Sequence, residues 1–207
     1  MARRIKEAPI VHQNRIAEKA LVLFAKQGIE NTKMDEIAAA VGYGKATLYV
    51  YFKNKEDIVS FLALQSMEKL RSALSMAMEK EGSVKETFFG LCNALVTFQE
   101  EYPTFFERSL QYIQVQKGEE KSYLGQAYKI GEEINQIVIS YLQKGIASGD
   151  LKPVENYFTT IFLLWGMIAG IIKLAAEKEE YLLLAGNMTK KEFLRTGFEK
   201  IYWTISR

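Results

Sequence analysis

The sequence contains little of what a disulfide-stabilised or metal-dependent protein needs. It has one cysteine, Cys92, which excludes an internal disulfide and any metal site built from several cysteines. It has one histidine, His12, which argues against a histidine-based zinc site. The first ten residues, MARRIKEAPI, lack the apolar core of a signal peptide. We therefore expect a cytoplasmic protein that uses no cofactor.

Proline is also scarce, and no stretch shows the sustained apolar–polar alternation of a half-buried strand. The chain has three prolines in 207 residues, and 48% of its residues are hydrophobic and 25% charged, as in soluble globular proteins. Long segments instead place apolar residues at helical spacing. These patterns predict an all-α protein of about nine helices.

Positive charge is concentrated near the N-terminus. Residues 1–55 contain ten Lys and Arg against five Asp and Glu, whereas the rest of the chain contains seventeen against twenty. Such an asymmetry is expected when the N-terminal end meets a polyanion such as a nucleic acid.

Two short helices joined by a tight turn follow the first helix, which is predicted from about Val11 to Lys26. Thr32 and Asp35 have the spacing of a capping box, and we expect them to open the second helix. Gly42 ends that helix, and the third helix, which contains KATLYVY, begins two or three residues later. A pair of helices in this arrangement is the signature of a helix-turn-helix motif.

The third helix has two distinct faces. Leu48 and Phe52 are four residues apart and are expected to face the first two helices. Ala46 and Val50 lie nearly opposite, with hydroxyl-bearing side chains beside them. A small apolar face of this kind fits the DNA major groove, where it can touch thymine methyl groups while hydroxyls and lysines reach base edges and phosphates.

A structural alternative remains for the same residues. Tyr49 and Tyr51 could be half-buried packing residues with solvated hydroxyls, and the neighbouring lysines could be an ordinary charged surface. The tight turn, the N-terminal position and the local positive charge favour DNA contact.

The stretch TKMDEIAAAVGYGKATLYVYFKNKEDI resembles the DNA-binding domain of the TetR family of bacterial transcriptional regulators, over roughly residues 10–60. The matching residues are Thr32, Ile37, Ala38, Gly42, Thr47, Leu48, Tyr49, Phe52 and Lys55. The helix wheel and this resemblance together predict DNA contacts by Thr32, Lys45, Ala46, Thr47, Tyr49, Val50, Tyr51 and Lys55.

The resemblance also suggests how these contacts divide. It implies phosphate contacts for Thr32, Tyr49 and Lys55, with Tyr51 near the DNA backbone. The side chains at 45–47 would lie against the bases. The sequence departs from the family pattern at two places: Gly44 takes the position of a small hydroxyl residue, and Tyr43 replaces a common aliphatic residue. Glycine can still cap a helix at a cost of only a few tenths of a kcal/mol.

Residues 1–55 are expected to form the DNA-binding domain, and residues 56–207 a helical domain for effector binding and dimerisation. Capping boxes are predicted at Ser83 with Glu86, Thr104 with Glu107, and Thr189 with Glu192. The other predicted helices include Asp57–Lys80, Glu120–Ala147 and Val154–Glu177.

The eighth predicted helix, Val154–Glu177, is apolar on all sides. A membrane span is one interpretation, but its unbroken apolar run covers only residues 161–172, so we favour a buried interface. Gly166 and Gly170 would allow a second helix to approach closely. The TetR resemblance implies that the eighth and ninth helices of two chains form the interface of a homodimer.

The C-terminal domain is rich in aromatic residues, which suit a mostly apolar pocket with a few polar groups. The resemblance implies a small-molecule effector there, and the scarcity of nearby cations favours an apolar or aromatic one. The predicted lining residues are Phe89, Cys92, Phe105, Phe106, Tyr112, Tyr128, Phe162 and Trp165.

The resemblance and the patterns together indicate a regulator, most simply a repressor released from a palindromic operator when the effector binds. A transcriptional activator, or a regulator without an effector, fits the same residues. An enzyme does not, because Cys92 has no histidine nearby in sequence and the adjacent Glu132 and Glu133 point about 100° apart on a helix.

Overall fold

The computed structural model describes residues 7–109 and 118–207, which form ten α-helices and no strand. An isolated antiparallel β-bridge pairs Leu151 with Ser206. The all-α prediction is confirmed. The helices are α1 (Pro9–Gln27), α2 (Met34–Val41), α3 (Lys45–Tyr51), α4 (Lys55–Glu79), α5 (Val84–Glu101), α6 (Pro103–Ser109), α7 (Tyr123–Ser148), α8 (Tyr157–Glu177), α9 (Glu179–Gly186) and α10 (Lys190–Ile205).

The short helix α9 was not predicted, so the predicted ninth helix is α10. The polar run EKEE, which starts at the last residue of α8, indicates a helix end, yet the chain turns at Lys178 and resumes helical structure at once. Asn187, in the left-handed conformation with φ 46°, ends α9. None of the eight residues of α9 is buried.

Two predicted capping boxes are confirmed. The backbone N–H of Ser83 donates to the Glu86 carboxylate at 2.8 Å, and the Ser83 hydroxyl accepts from the Glu86 N–H at 3.2 Å. Thr189 and Glu192 make the same pair of bonds at 2.8 and 3.2 Å. Each box satisfies backbone donors that the first turn of a helix leaves without a partner.

The other two predicted boxes are wrong. The residue that precedes α2 is Lys33, whose N–H donates to the Glu36 carboxylate at 2.9 Å. The Thr32 hydroxyl instead donates to the Gly28 carbonyl at 2.8 Å. Helix α6 begins directly at Pro103, whose fixed φ suits a first helical turn, so Thr104 does not cap it.

The described residues fall into two compact units. The first contains α1 to α3, the beginning of α4 up to Ser66, and residues 118–128, which include the start of α7. The second contains the rest of α4 and α7 together with α5, α6 and α8 to α10. The boundary between residues 55 and 56 stays a prediction.

The first unit is built around side chains that α1, α2 and α3 bury against one another. Ile16, Ile37 and Leu48, one from each helix, are completely buried, and Phe52 is nearly so. Burying each side chain of this size stabilises the fold by about 1.5–3 kcal/mol. These contacts fix the orientation of α3.

In the second unit, α8 packs against α5 on one side and α10 on another. Gly197 of α10 lies directly against Ile171 of α8: a Cβ placed on Gly197 would be 2.8 Å from Ile171 Cδ1. The helices approach this closely because residue 197 has no side chain.

Candidate DNA-binding surface and effector cavity

Helix α3 turns one face inward and leaves the other open. Leu48 is completely buried, whereas Val50 is 76% and Tyr49 44% exposed. Lys45, Ala46 and Thr47 are exposed as well. The outward face is thus a small apolar crest with a lysine, a threonine hydroxyl and a tyrosine around it, which is the chemistry that major-groove contacts use.

Lys45 already has an anionic neighbour. Its ammonium group lies 2.9 Å from an Asp35 carboxylate oxygen, and both side chains are more than half exposed. The hydrogen bond that the ammonium donates to the Asp35 carboxylate raises the pKa of Lys45. Because the pair is solvated, the lysine can exchange this carboxylate for another anion at little cost.

Lys55 has a structural role within the first unit. Its ammonium donates to the backbone carbonyls of Ile29 at 2.7 Å and Glu30 at 3.1 Å. These bonds tie the first residue of α4 to the turn between α1 and α2. The sequence did not indicate them, because the partners are backbone atoms 25 and 26 residues away.

Tyr51 and Tyr43 belong to an aromatic cluster with the single histidine. The rings of His12 and Tyr51 are stacked with centroids 4.8 Å apart, and His12 Nδ1 lies 2.6 Å from the Tyr43 hydroxyl. Glu7 lies 3.6 Å from His12 Nε2 and forms a bidentate pair with Arg15. The unusual tyrosine at position 43 therefore connects the turn before α3 to α1.

Thr32 lies apart from the exposed residues. It is 1% exposed, and its hydroxyl is bonded to Gly28 as described above. In this conformation the side chain offers no surface to a phosphate.

The second unit contains a partly open cavity of about 30 Å³. Two of the predicted effector residues, Cys92 and Trp165, line it. The other lining residues are Leu74, Phe88, Leu91, Leu95, Val138, Tyr141, Ile161, Leu164 and Ile168. Sequence reasoning missed most of these because a cavity-lining leucine or isoleucine has the same helical spacing as a core residue.

The remaining predicted effector residues lie elsewhere. Phe105 and Phe106 are buried but do not line the cavity, and neither does half-buried Phe89. The exposed Phe162 faces outward, and Tyr128, 49% exposed, belongs to the first unit. Tyr112 lies outside the described residues.

The cavity wall that the described residues form is apolar. The Tyr141 hydroxyl donates to the Val84 carbonyl at 3.2 Å, and Trp165 Nε1 donates to Asn135 Oδ1 at 3.3 Å. Both polar tips are thereby satisfied by protein groups. Burial raises the pKa of the Cys92 thiol, so this group is neutral.

The outward face of α8 carries large apolar side chains. Phe158 and Phe162 are 70% and 53% exposed and pack on each other with centroids 4.5 Å apart. Gly166 and Gly170 continue the same row at four-residue spacing, and within the described residues no atom lies within 4 Å of a Cβ placed on either. By length and composition alone, α8 could also cross a membrane, with a mean hydropathy of 1.9.

The helix-turn-helix geometry agrees with a family match. Residues 16–60 match the model of the bacterial regulatory proteins of the tetR family. Residues 16–60 thus carry the helix-turn-helix domain of the TetR family of bacterial transcriptional regulators.

The chain is also similar, over most of their length, to regulators described as HTH-type. The chain is 24% identical over 155 residues to the uncharacterised HTH-type transcriptional regulator YhgD of Bacillus subtilis, covering 72% of this chain and 76% of YhgD. It is 23% identical over 154 residues to IcaR of Staphylococcus aureus, a negative transcriptional regulator of the biofilm operon icaADBC, covering 74% and 79%.

Solved structures of bacterial transcriptional regulators, one of them described as a TetR-family protein, share the fold. PfmR from Thermus thermophilus is 25% identical with a TM-score of 0.68, covering 91% of this chain and 97% of PfmR. FadR from Bacillus subtilis, solved in complex with stearoyl-CoA, is 18% identical with a TM-score of 0.66, covering 90% and 95%.

Proposed function

We propose that this TetR-family chain is a homodimeric repressor that binds palindromic operator DNA and releases it when a neutral apolar effector binds. The observation that carries the proposal is the exposed face of α3 above the buried Leu48. The protein would act in the cytoplasm, where its operator is, and the proposal assigns it no chemical reaction.

The α3 face supplies the DNA contacts. Ala46 and Val50 would touch base edges or thymine methyl groups, while Thr47 and Lys45 donate hydrogen bonds to bases at the N-terminal end of the helix. Tyr49 and Tyr51 would reach phosphates with their hydroxyls. Thr32 is left out of this set because it is buried.

The same unit supplies lysines for the DNA backbone. Lys53 is exposed just after α3 and fits a phosphate contact. Lys55 would reach a phosphate only by sharing an ammonium group that already holds two carbonyls.

The outward face of α8, with α10 beside it, would form the dimer interface. One recognition helix of seven residues reads too few base pairs for specificity. A twofold pair reads two half-sites about 34–36 Å apart. The apolar row from Phe158 to Gly170 would be removed from water in the dimer, which accounts for its exposure in a single chain.

The effector would occupy the cavity beside Cys92 and Trp165. A cavity of about 30 Å³ holds no more than a few water molecules, whereas ligand sites measure about 300–1,000 Å³. Binding therefore requires cavity side chains to move, and the protein with effector differs in conformation from the protein without it. An effector that binds one state better lowers the population of the other. FadR, whose structure holds stearoyl-CoA, gives a precedent for a long apolar chain in this fold.

The test is selection of duplexes from a random DNA library by the purified full-length protein. We expect enriched sequences with two inverted half-sites about one helical turn apart, and one dimer per duplex. No enrichment over an unselected library at low salt would contradict the proposed function. A reporter placed behind the selected sequence then distinguishes repression from activation, since only a repressor lowers expression.

A further inference from the structure

Tyr123 lies within the first unit, which contains the helix-turn-helix, although the two are far apart in sequence. It is the first residue of α7, and its half-buried ring packs against two phenylalanines of that unit. The ring centroid lies 5.1 Å from that of Phe61 and 6.5 Å from that of Phe52. Phe52 is the residue that directly follows α3.

Gln13 of α1 connects Tyr123 to the end of α3. Its Nε2 donates to the Tyr123 hydroxyl at 2.8 Å and lies 3.5 Å from the carbonyl oxygen of Tyr51, the last residue of α3. The final carbonyls of a helix have no donor within the helix, so an amide at this position supports the helix end. Tyr123 holds the Gln13 amide in place for that contact.

A residue of α1 also contacts the side chain of Tyr51. His12, next to Gln13, stacks on the Tyr51 ring. Consecutive residues of α1 therefore fix both the backbone and the ring of Tyr51. Because an isolated helix of seven residues is unstable in water, the placement of α3 depends on such contacts.

We infer that Tyr123 is a positioning residue for DNA binding, which acts through Gln13 and Phe52 on the C-terminal end of α3. The inference rests on the proposed function of α3 and adds to it a residue that does not itself contact DNA.

The test compares Tyr123→Phe, which removes only the hydroxyl, with the matched control Tyr128→Phe, five residues further along α7 at an exposed position. Affinity for the selected duplex is measured by fluorescence anisotropy over a range of salt concentrations. We expect Tyr123→Phe to weaken binding about three- to tenfold, the effect of one lost hydrogen bond, and Tyr128→Phe to leave it unchanged. The slope of log K against log salt should not change, because no phosphate contact is lost.

A second variant tests the route. Gln13→Leu should weaken binding at least as much, because it also removes the contact with the Tyr51 carbonyl. The double variant should bind no more weakly than Gln13→Leu alone, since the Tyr123 hydroxyl acts only through the Gln13 amide. Additive losses would overturn the route through Gln13.

Two further results would overturn the positioning role. One is wild-type affinity in Tyr123→Phe, and the other is a loss of affinity that thermal melting explains by unfolded protein. Failure of the wild-type protein to bind any duplex would instead contradict the proposed function, so the two failures are distinguishable.

Discussion

Some side chains near α3 are bonded within the protein and stabilise the fold, whereas others are exposed and can contact DNA. Lys53 and Lys55 make this contrast most clearly, because they are two residues apart and carry the same charge. Lys55 donates to two backbone carbonyls, whereas Lys53 is exposed at the end of the motif. The sequence analysis predicted a phosphate contact for Lys55 and did not indicate its two carbonyl partners.

We expect Lys55→Ala to lower the free energy of unfolding by about 1–2 kcal/mol, because two charge-assisted hydrogen bonds are lost. Lys53→Ala should leave stability unchanged and reduce the salt slope of operator binding by about 1, the effect of one phosphate contact. Urea unfolding and salt-dependent anisotropy measure the two quantities. Equal stability of both variants would show that the Lys55 bonds contribute nothing.

Cys92 offers a second test at this scale. The thiol is completely buried, and burial raises its pKa, so the reactive thiolate is absent at neutral pH. We expect a thiol reagent such as Ellman's reagent to react only when urea unfolds the second unit. Fast labelling of the native protein would mean that the cavity opens readily without an effector.

Residue roles were the hardest feature to predict, for a physical reason. Thr32 with Asp35 and Lys33 with Glu36 have the same spacing, and only the packing of Thr32 against the end of α1 decides where α2 begins. Capping boxes at Ser83 and Thr189 were predictable because a local hydrogen-bond pair determines them.

At the scale of helices, α8 packs one face against α10, whereas the described residues leave the row from Phe158 to Gly170 uncovered. Gly197 lies at the contact between α8 and α10, whereas Gly170 lies on the outward face of α8. A Cβ on Gly197 of α10 would lie 2.8 Å from Ile171 Cδ1 and 2.9 Å from its Cγ2, whereas one on Gly170 meets no neighbour within 4 Å in the described residues.

We expect Gly197→Ala to destabilise the folded chain by about 1–3 kcal/mol, because Ile171 must leave its place in a packed contact. Gly170→Ala should weaken dimerisation, since the added methyl group holds the two α8 helices apart. In the monomer the same change gains up to about 1 kcal/mol of helix propensity. Thermal melting and sedimentation measure the two effects. A Gly170→Ala dimer with the dissociation constant of the wild-type dimer would show that the interface does not include this row.

Helix existence was predictable from apolar spacing, while α9 and the cavity were not. Among the described residues no leucine of α9 is buried, so no periodic apolar pattern marks the helix. The cavity arises where leucine and isoleucine side chains of several helices leave a gap, which no single segment encodes.

At the scale of the whole molecule, the proposed homodimer would cover the apolar row on α8 with the same row of a second copy. Phe162→Glu places a charge at the centre of this row without disturbing a buried residue. We expect the variant to sediment as a folded monomer and to bind the selected duplex at least tenfold more weakly. A stable dimer of Phe162→Glu would contradict an interface on this face.

The extent of the first unit could not be predicted from the sequence, because its final segment includes the start of α7. Residues 10–60 match a known pattern, but the contacts of Tyr123 with Gln13 and Phe61 depend on how distant segments meet. The motif predicts the position of α3 but not the contacts that support its C-terminal end.

The most direct test of DNA recognition through α3 is the affinity of Tyr49→Ala for the selected palindromic duplex, measured beside the wild-type protein at one salt concentration. Tyr49 is exposed and packs little in its own chain, so the variant should keep the wild-type melting temperature. We predict an operator affinity at least tenfold lower, corresponding to about 1.4 kcal/mol or more. Wild-type affinity in a fully folded Tyr49→Ala protein would contradict recognition of DNA by this face.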